Sequence, residues 1–200
     1  MLEQPNATPE LNLGRIMSAY TKGKKRLLLF DYDGTLTPIV KIPSAALPPK
    51  EMLQALQKLV EDPRNLVFVI SGRDQTCLDE WLGSKIKGLG LSAEHGSFIK
   101  YPFGNWINLA QEIDFTWKKD VEDIFNYYEE RTPGSFTEHK VCSITWHYRL
   151  ADPELGIYQS KECHQKLEKT LLSKNPIEIL NGKKNLEVIR RLIIRFVLFQ

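Results

Sequence analysis

Three cysteines in 200 residues, Cys77, Cys142 and Cys163, are too few and of the wrong parity for a disulfide framework. Neither they nor the four histidines, His95, His139, His147 and His164, have zinc-ligand spacing. The thiols are therefore read as reduced, in an intracellular protein. Charge of either sign is also in no excess. Lys and Arg total 27 against 25 Asp and Glu, and a net charge of +2 makes no case for nucleic acid or a membrane surface as partner. No apolar run reaches transmembrane length, and the N-terminus has no signal-peptide core. A cytoplasmic location is expected. What remains is ordinary soluble composition, 42% apolar and 26% charged, enough to bury a sizeable core. The length allows one domain, or a core with a second unit inserted.

The most informative stretch is Leu27-Leu28-Leu29-Phe30-Asp31-Tyr32-Asp33-Gly34-Thr35-Leu36-Thr37-Pro38. A short apolar run between charged residues and a turn reads as a strand buried in a parallel sheet. In open α/β sheets ligands bind beyond the carboxyl ends of strands, where Asp31 and Asp33 fall. One carboxylate can attack phosphorus covalently, and a second can protonate the leaving oxygen and then activate water. Two carboxylates facing a phosphate dianion call for Mg²⁺. Read without its neighbours, Asp-x-Asp-Gly is equally an ordinary strand-end turn.

Before this strand, Leu11, Leu13, Ile16, Met17 and Tyr20 space as an amphipathic helix. After it, Leu53, Leu56, Leu59 and Val60 predict a helix over 49–61, broken at Asp62-Pro63. Leu66 to Ile70 reads as a second buried strand running into Ser71-Gly72-Arg73. There the hydroxyl and guanidinium suit a phosphate, although turn or cap roles fit the same three residues. A helix over 74–82 and a third strand over 88–93 lead to Glu94-His95-Gly96.

From Ser97 the pattern changes to hairpins and helices. A hairpin is expected over 98–107, a helix over 117–128, a strand pair over 135–149, a helix from Asp152, and a final hairpin turning at Asn181-Gly182. The block 98–188 reads as a cap that closes over the site. Trp146 and Tyr148 read as its core, and His147 as a structural hydrogen-bonding residue.

Together these strings resemble the trehalose-6-phosphate phosphatase family of the haloacid dehalogenase superfamily. Asp31-Tyr32-Asp33-Gly34-Thr35 matches the superfamily's first motif and Ser71 its second. Ala93-Glu94-His95-Gly96, Glu138-x-Lys140, Trp146-His147-Tyr148-Arg149 and Gly182-Lys183-Lys184-x-x-Glu187-Val188 match further family strings. The resemblance implies an α/β fold, a haloacid dehalogenase-like Rossmannoid core, here incomplete, with an inserted α/β cap. It implies Mg²⁺-dependent hydrolysis of trehalose 6-phosphate to trehalose and phosphate through an aspartyl-phosphate. Asp31 would be nucleophile, Asp33 general acid and base, and both would touch the metal. Ser71, Gly72 and Arg73 would hold phosphate. Glu94, Glu138, Lys140, Arg149, Lys183, Lys184 and Glu187 would hold the substrate. The implied organisation is a leader and linker helix over 1–25, the first half of the core over 26–97, the cap over 98–188 and a tail over 189–200. Subunits of trehalose-6-phosphate synthase are the expected protein partners.

The match stops at Val188. The family continues into Arg-Pro, Asn-Lys-Gly and later an acidic pair, whereas residues 189–200 read Ile-Arg-Arg-Leu-Ile-Ile-Arg-Phe-Val-Leu-Phe-Gln. The expectation is a truncated chain with an apolar, association-prone tail, which either pairs along an open edge or is foreign to the family. The third strand or its neighbour would keep that edge exposed. Losing one well-placed electrostatic group can cost roughly 10²–10³ in rate, so an inactive or regulatory subunit is the alternative reading.

Overall fold

The computed structural model describes residues 10–191. Strand β1 (Arg26–Asp31) forms where the apolar run predicts it. It pairs in parallel with β2 (Asn65–Ile70), which pairs in parallel with β3 (Gly90–Ala93). A hairpin of β4 (Phe98–Lys100) and β5 (Trp106–Asn108) extends the same sheet antiparallel to β3, in the order β1-β2-β3-β4-β5. The hairpin expected to open the cap therefore belongs to the core sheet. It also covers β3, so among the described residues this sheet ends at β1 and β5 rather than at the third strand.

Helix α1 (Leu13–Lys22) is capped by Asn12, whose side chain accepts the Arg15 N–H. It buries no residue, and its apolar stripe of Leu13, Ile16, Met17 and Tyr20 stays exposed. Helix α2 (Lys50–Glu61) brings Met52, Leu53, Leu56, Leu59 and Val60 onto the core sheet. It stops at Asp62, whose carboxylate binds Arg26 and Arg64. Helix α3 (Gln75–Leu78) begins on the Asp74 cap and widens into a π-turn over Asp79–Gly83. Trp81 and Leu82 of that turn pack into the core with Tyr32, Val69 and Leu91.

A second sheet has the order β6-β7-β9-β8, all antiparallel. It is built from β6 (Phe136–His139), β7 (Ser143–His147), β8 (Ile177–Gly182) and β9 (Asn185–Arg190). Helix α4 (Trp117–Glu129) lays Trp117, Val121, Phe125 and Tyr128 on it at helical spacing. Helix α5 (Pro153–Leu167) adds Cys163 and Leu167. Trp146 lies wholly buried among the rings of Phe125, Tyr128 and Tyr148, so the expected cap core stands. Each sheet thus covers its own apolar cluster. Ile189 and Arg190, expected to begin the atypical tail, complete β9. The expectations for the leader over 1–9 and the tail from 192 lie outside the described residues. Among the described residues, no helix is long and apolar enough to cross a membrane.

Candidate functional site

The site begins at the carboxyl end of β1. Tyr32 turns fully inward, and its hydroxyl donates to the Ala46 carbonyl at 2.7 Å. Asp31, the last residue of β1, and Asp33 flank it, and both are exposed. Gly34 then takes φ +88°, which a side chain would resist, and its N–H donates to the Thr37 carbonyl. The Tyr32 carbonyl accepts the N–H groups of Leu36 and Thr37, closing a tight loop.

At the end of β2, Ser71 is buried and its Oγ accepts the Arg73 N–H at 3.1 Å. Its own N–H donates to the Ser92 carbonyl of β3. This folded loop aims Arg73 at Asp33, with Nε 2.9 Å from one carboxylate oxygen and an NH2 group 2.8 Å from the other. The guanidinium also rests 4.7 Å from the Trp81 ring centroid, a cation–π arrangement that fixes its plane.

At the end of β3, Glu94 and His95 both adopt positive φ, +43° and +56°. Non-glycine residues rarely do so, and two in succession mark a conformation imposed by surrounding contacts. The structure gives Glu94 a different task from the expected sugar contact. It is buried, and its two oxygens accept the N–H groups of Val141 and Cys142 at 3.2 and 2.6 Å. Burial pushes its carboxyl above the ordinary range, and the two backbone N–H groups hold part of that back. Glu94 ties the core to the β6–β7 turn from behind the cleft.

The cleft itself encloses about 280 Å³ between the two sheets. Asp33, Gly72, Arg73 and Asp74 line one wall. Glu138, Lys140, His147, Arg149, Lys183, Asn185 and Glu187 line the other. One oxygen of Glu187 accepts from Lys140 Nζ at 2.9 Å and from the Ser143 hydroxyl at 2.8 Å. The other lies 3.0 Å from His95 Nε2. Burial raises the Glu187 carboxyl, but the His95 hydrogen bond and the Lys140 charge outweigh it and hold the group well below the usual range. Glu138 is likewise lowered, because a 2.8 Å contact with His147 overcomes its burial. Lys140 Nζ also donates to the Gly72 carbonyl at 3.0 Å, joining the walls. Arg149 does the same, donating to the Val40 and Lys183 carbonyls.

Lys184 sits at the β8–β9 turn with φ +65° and does not line the cleft, unlike Lys183. Asp31 and Ser71 lie at their strand ends and likewise do not line it. Asp74, Ser143 and Asn185 join the site without having been singled out in the sequence. Asp74 carried a readable cap signal, being followed by a helix whose Cys77 N–H it accepts. Ser143 and Asn185 carried none.

Among the described residues, no group of three or more His, Cys, Asp or Glu side chains could hold a metal ion. Mg²⁺ does not need one, since it binds through one or two carboxylates with water and phosphate oxygens completing its octahedron. Asp31 and Asp33 are hard oxygen donors of that class, two residues apart at the end of β1 and both exposed. The donor set fits Mg²⁺ once Asp33 is released from Arg73.

Residues 29–194 match the family model described as trehalose-phosphatase. The chain belongs to the trehalose-phosphatase family. It is 54% identical over 185 residues to a trehalose-phosphatase of Schizosaccharomyces pombe, aligning over 92% of this chain and 22% of that protein. It is 46% identical to a Dictyostelium discoideum protein named alpha,alpha-trehalose-phosphate synthase [UDP-forming] B, over 91% of this chain and 23% of that one. The solved C-terminal domain of C. albicans trehalose-6-phosphate phosphatase superposes with a TM-score of 0.89 at 46% identity. That match covers 93% of this chain and 64% of the domain. The chain spans about a fifth of the length of the curated relatives it matches. The expected fold class stands: a haloacid dehalogenase-like α/β core carrying a second α/β unit.

Proposed function

We propose that this trehalose-phosphatase unit hydrolyses trehalose 6-phosphate to trehalose and inorganic phosphate. One observation carries the reading. A single cleft sets Asp33, Gly72 and Arg73 of the core opposite Glu138, Lys140, Lys183 and Glu187 of the second sheet, with Asp31 one step behind on β1. One wall has the chemistry for a phosphoryl group, and the other for sugar hydroxyls and charge.

Asp31 attacks phosphorus, and the bond to the trehalose oxygen breaks as the aspartyl-phosphate forms. Asp33 acts as general acid toward that oxygen and then as general base toward the water that hydrolyses the acyl phosphate. Ser71, Gly72 and Arg73 hold the phosphoryl oxygens. Asp31 and Asp33 would hold Mg²⁺, which when bound supplies positive charge against the dianion. Glu138, Lys140, Arg149, Lys183 and Glu187 hold the disaccharide. Lys184 contributes charge at the rim, and Glu94 acts by fixing the cap turn. The second sheet with α4 and α5 serves as the cap over the core. The reaction belongs to trehalose biosynthesis in the cytoplasm, beside a synthase unit, and the synthase name of the Dictyostelium relative supports that link.

The test is phosphate release from trehalose 6-phosphate with Mg²⁺, beside Asp31→Asn. Release by the native chain and none by the variant is expected. Equal release by both, or equal rates on sucrose 6-phosphate and glucose 6-phosphate, overturns the reading.

A further inference from the structure

The geometry points to His95 as a positioning residue: it sets the place of Glu187, and through Glu187 the fit of the sugar end of the substrate. His95 belongs to the core and Glu187 to β9, 92 residues away in the chain. Their contact makes a core side chain a direct partner of a cap carboxylate that lines the cleft.

Three observations support a built arrangement. The backbone of His95 is held in its unusual conformation from the phosphate side. Its N–H donates to the Ser71 carbonyl at 3.2 Å, and the neighbouring Glu94 N–H donates to the Arg73 carbonyl at 2.9 Å. The imidazole then lies flush on Gly72. A methyl group there would stand 2.7 Å from ring atoms Cε1 and Nε2, closer than packing allows. Finally, Glu187 has donors on both oxygens, and His95 is the donor that comes from the core. Lys140 and Ser143 come from the cap and would move with it.

The consequence is geometric. The loop Ser71-Gly72-Arg73 sets the height of His95, and His95 sets Glu187. The phosphate end and the sugar end of the cleft are thereby held at one separation, so a long sugar phosphate is matched while a bare phosphate gains nothing. His95 need touch neither.

The inference rests on the sugar-phosphatase reading, and calorimetric binding separates the two. Trehalose 6-phosphate and inorganic phosphate are each titrated into the native chain, His95→Asn and His95→Gln. Asn tolerates positive φ but is too short to reach Glu187, whereas Gln can present an N–H near the position of Nε2. Losing one hydrogen bond to a charged group predicts about ten- to a hundred-fold weaker trehalose 6-phosphate binding by His95→Asn. Phosphate binding should change by less than about two-fold, and His95→Gln should recover most of the loss. Equal weakening of both ligands, or no weakening, overturns the proposal while leaving the functional reading intact. No binding of trehalose 6-phosphate by the native chain overturns the functional reading, and this proposal with it. Should His95→Asn fail to fold, the imidazole nitrogen resonances of His95 in the native chain decide. They should shift on adding trehalose 6-phosphate and stay on adding phosphate, and no shift with the sugar phosphate overturns the proposal.

Discussion

Arg73 grips both carboxylate oxygens of Asp33, at 2.8 and 2.9 Å, from a planar guanidinium braced on Trp81. In the proposed reaction, a bound phosphate dianion would compete for that guanidinium and, in taking it, would free the carboxylate for proton transfer. Lysine keeps the charge but cannot form the fork. Arg73→Lys is therefore expected to lower kcat/KM for trehalose 6-phosphate by about 10²-fold. A steady-state assay that finds less than a three-fold change would refute this account of the pair.

Glu94 satisfies two backbone donors of the β6–β7 turn. Glu94→Ala leaves both without a partner, at a cost of about 2–3 kcal/mol in unfolding free energy. Affinity for inorganic phosphate should stay the same, because Glu94 does not line the cleft. Urea denaturation with a parallel phosphate titration checks both halves.

Glu138 and Glu187 have folded-state carboxyls lowered below their ordinary range. For a lowered carboxyl, the stabilisation is complete above the unfolded-state pKa, about 4.3, and is lost as pH falls through the folded value. The urea midpoint gap between the native chain and Glu138→Gln should thus be widest near neutrality and shrink below about pH 4. A gap that grows on acidification would reverse the sign and sink the argument.

Gly72→Ala puts a methyl group into the His95 ring. The ring must leave Glu187 or the loop must shift. Trehalose 6-phosphate binding should weaken by about ten-fold or more, with a stability cost of about 1–3 kcal/mol. Full retention of both would mean that the close approach has no consequence.

Leu27 and Leu29 show on one face of β1, at 41% and 38% exposure, on the strand that ends the sheet among the described residues. Such edges promote pairing between chains, and lysine blunts them. Leu27→Lys with Leu29→Lys should reduce self-association measured by light scattering and leave phosphate binding unaltered.

Much of this was legible in the residues because it is local. The apolar run before Asp31 made β1, and the spacing of Leu53, Leu56, Leu59 and Val60 made α2. The final hairpin also formed, but it turns at Lys183-Lys184 rather than at Asn181-Gly182, which are paired in β8. The pattern Asp31-Tyr32-Asp33 left both aspartates exposed around a buried tyrosine. Long-range matters were hidden. Phe98 to Asn108 alternates like any hairpin, and nothing within it says which sheet it joins. Glu-His-Gly looks like a polar turn until Val141, Cys142 and Glu187 arrive from the cap. Family strings flagged Glu94, Lys140 and Glu187, but only the packed fold separates a carboxylate that braces a turn from one that faces the cleft.

Among the described residues, the strand that carries Asp31 has one hydrogen-bonded neighbour, whereas β2 has two. Local opening draws on the least-supported backbone. Amide hydrogens of β1 should therefore exchange with deuterium sooner than those of β2. The proposed nucleophile then rides on the faster-breathing strand, and its aim depends on how tightly that outer ribbon is clamped.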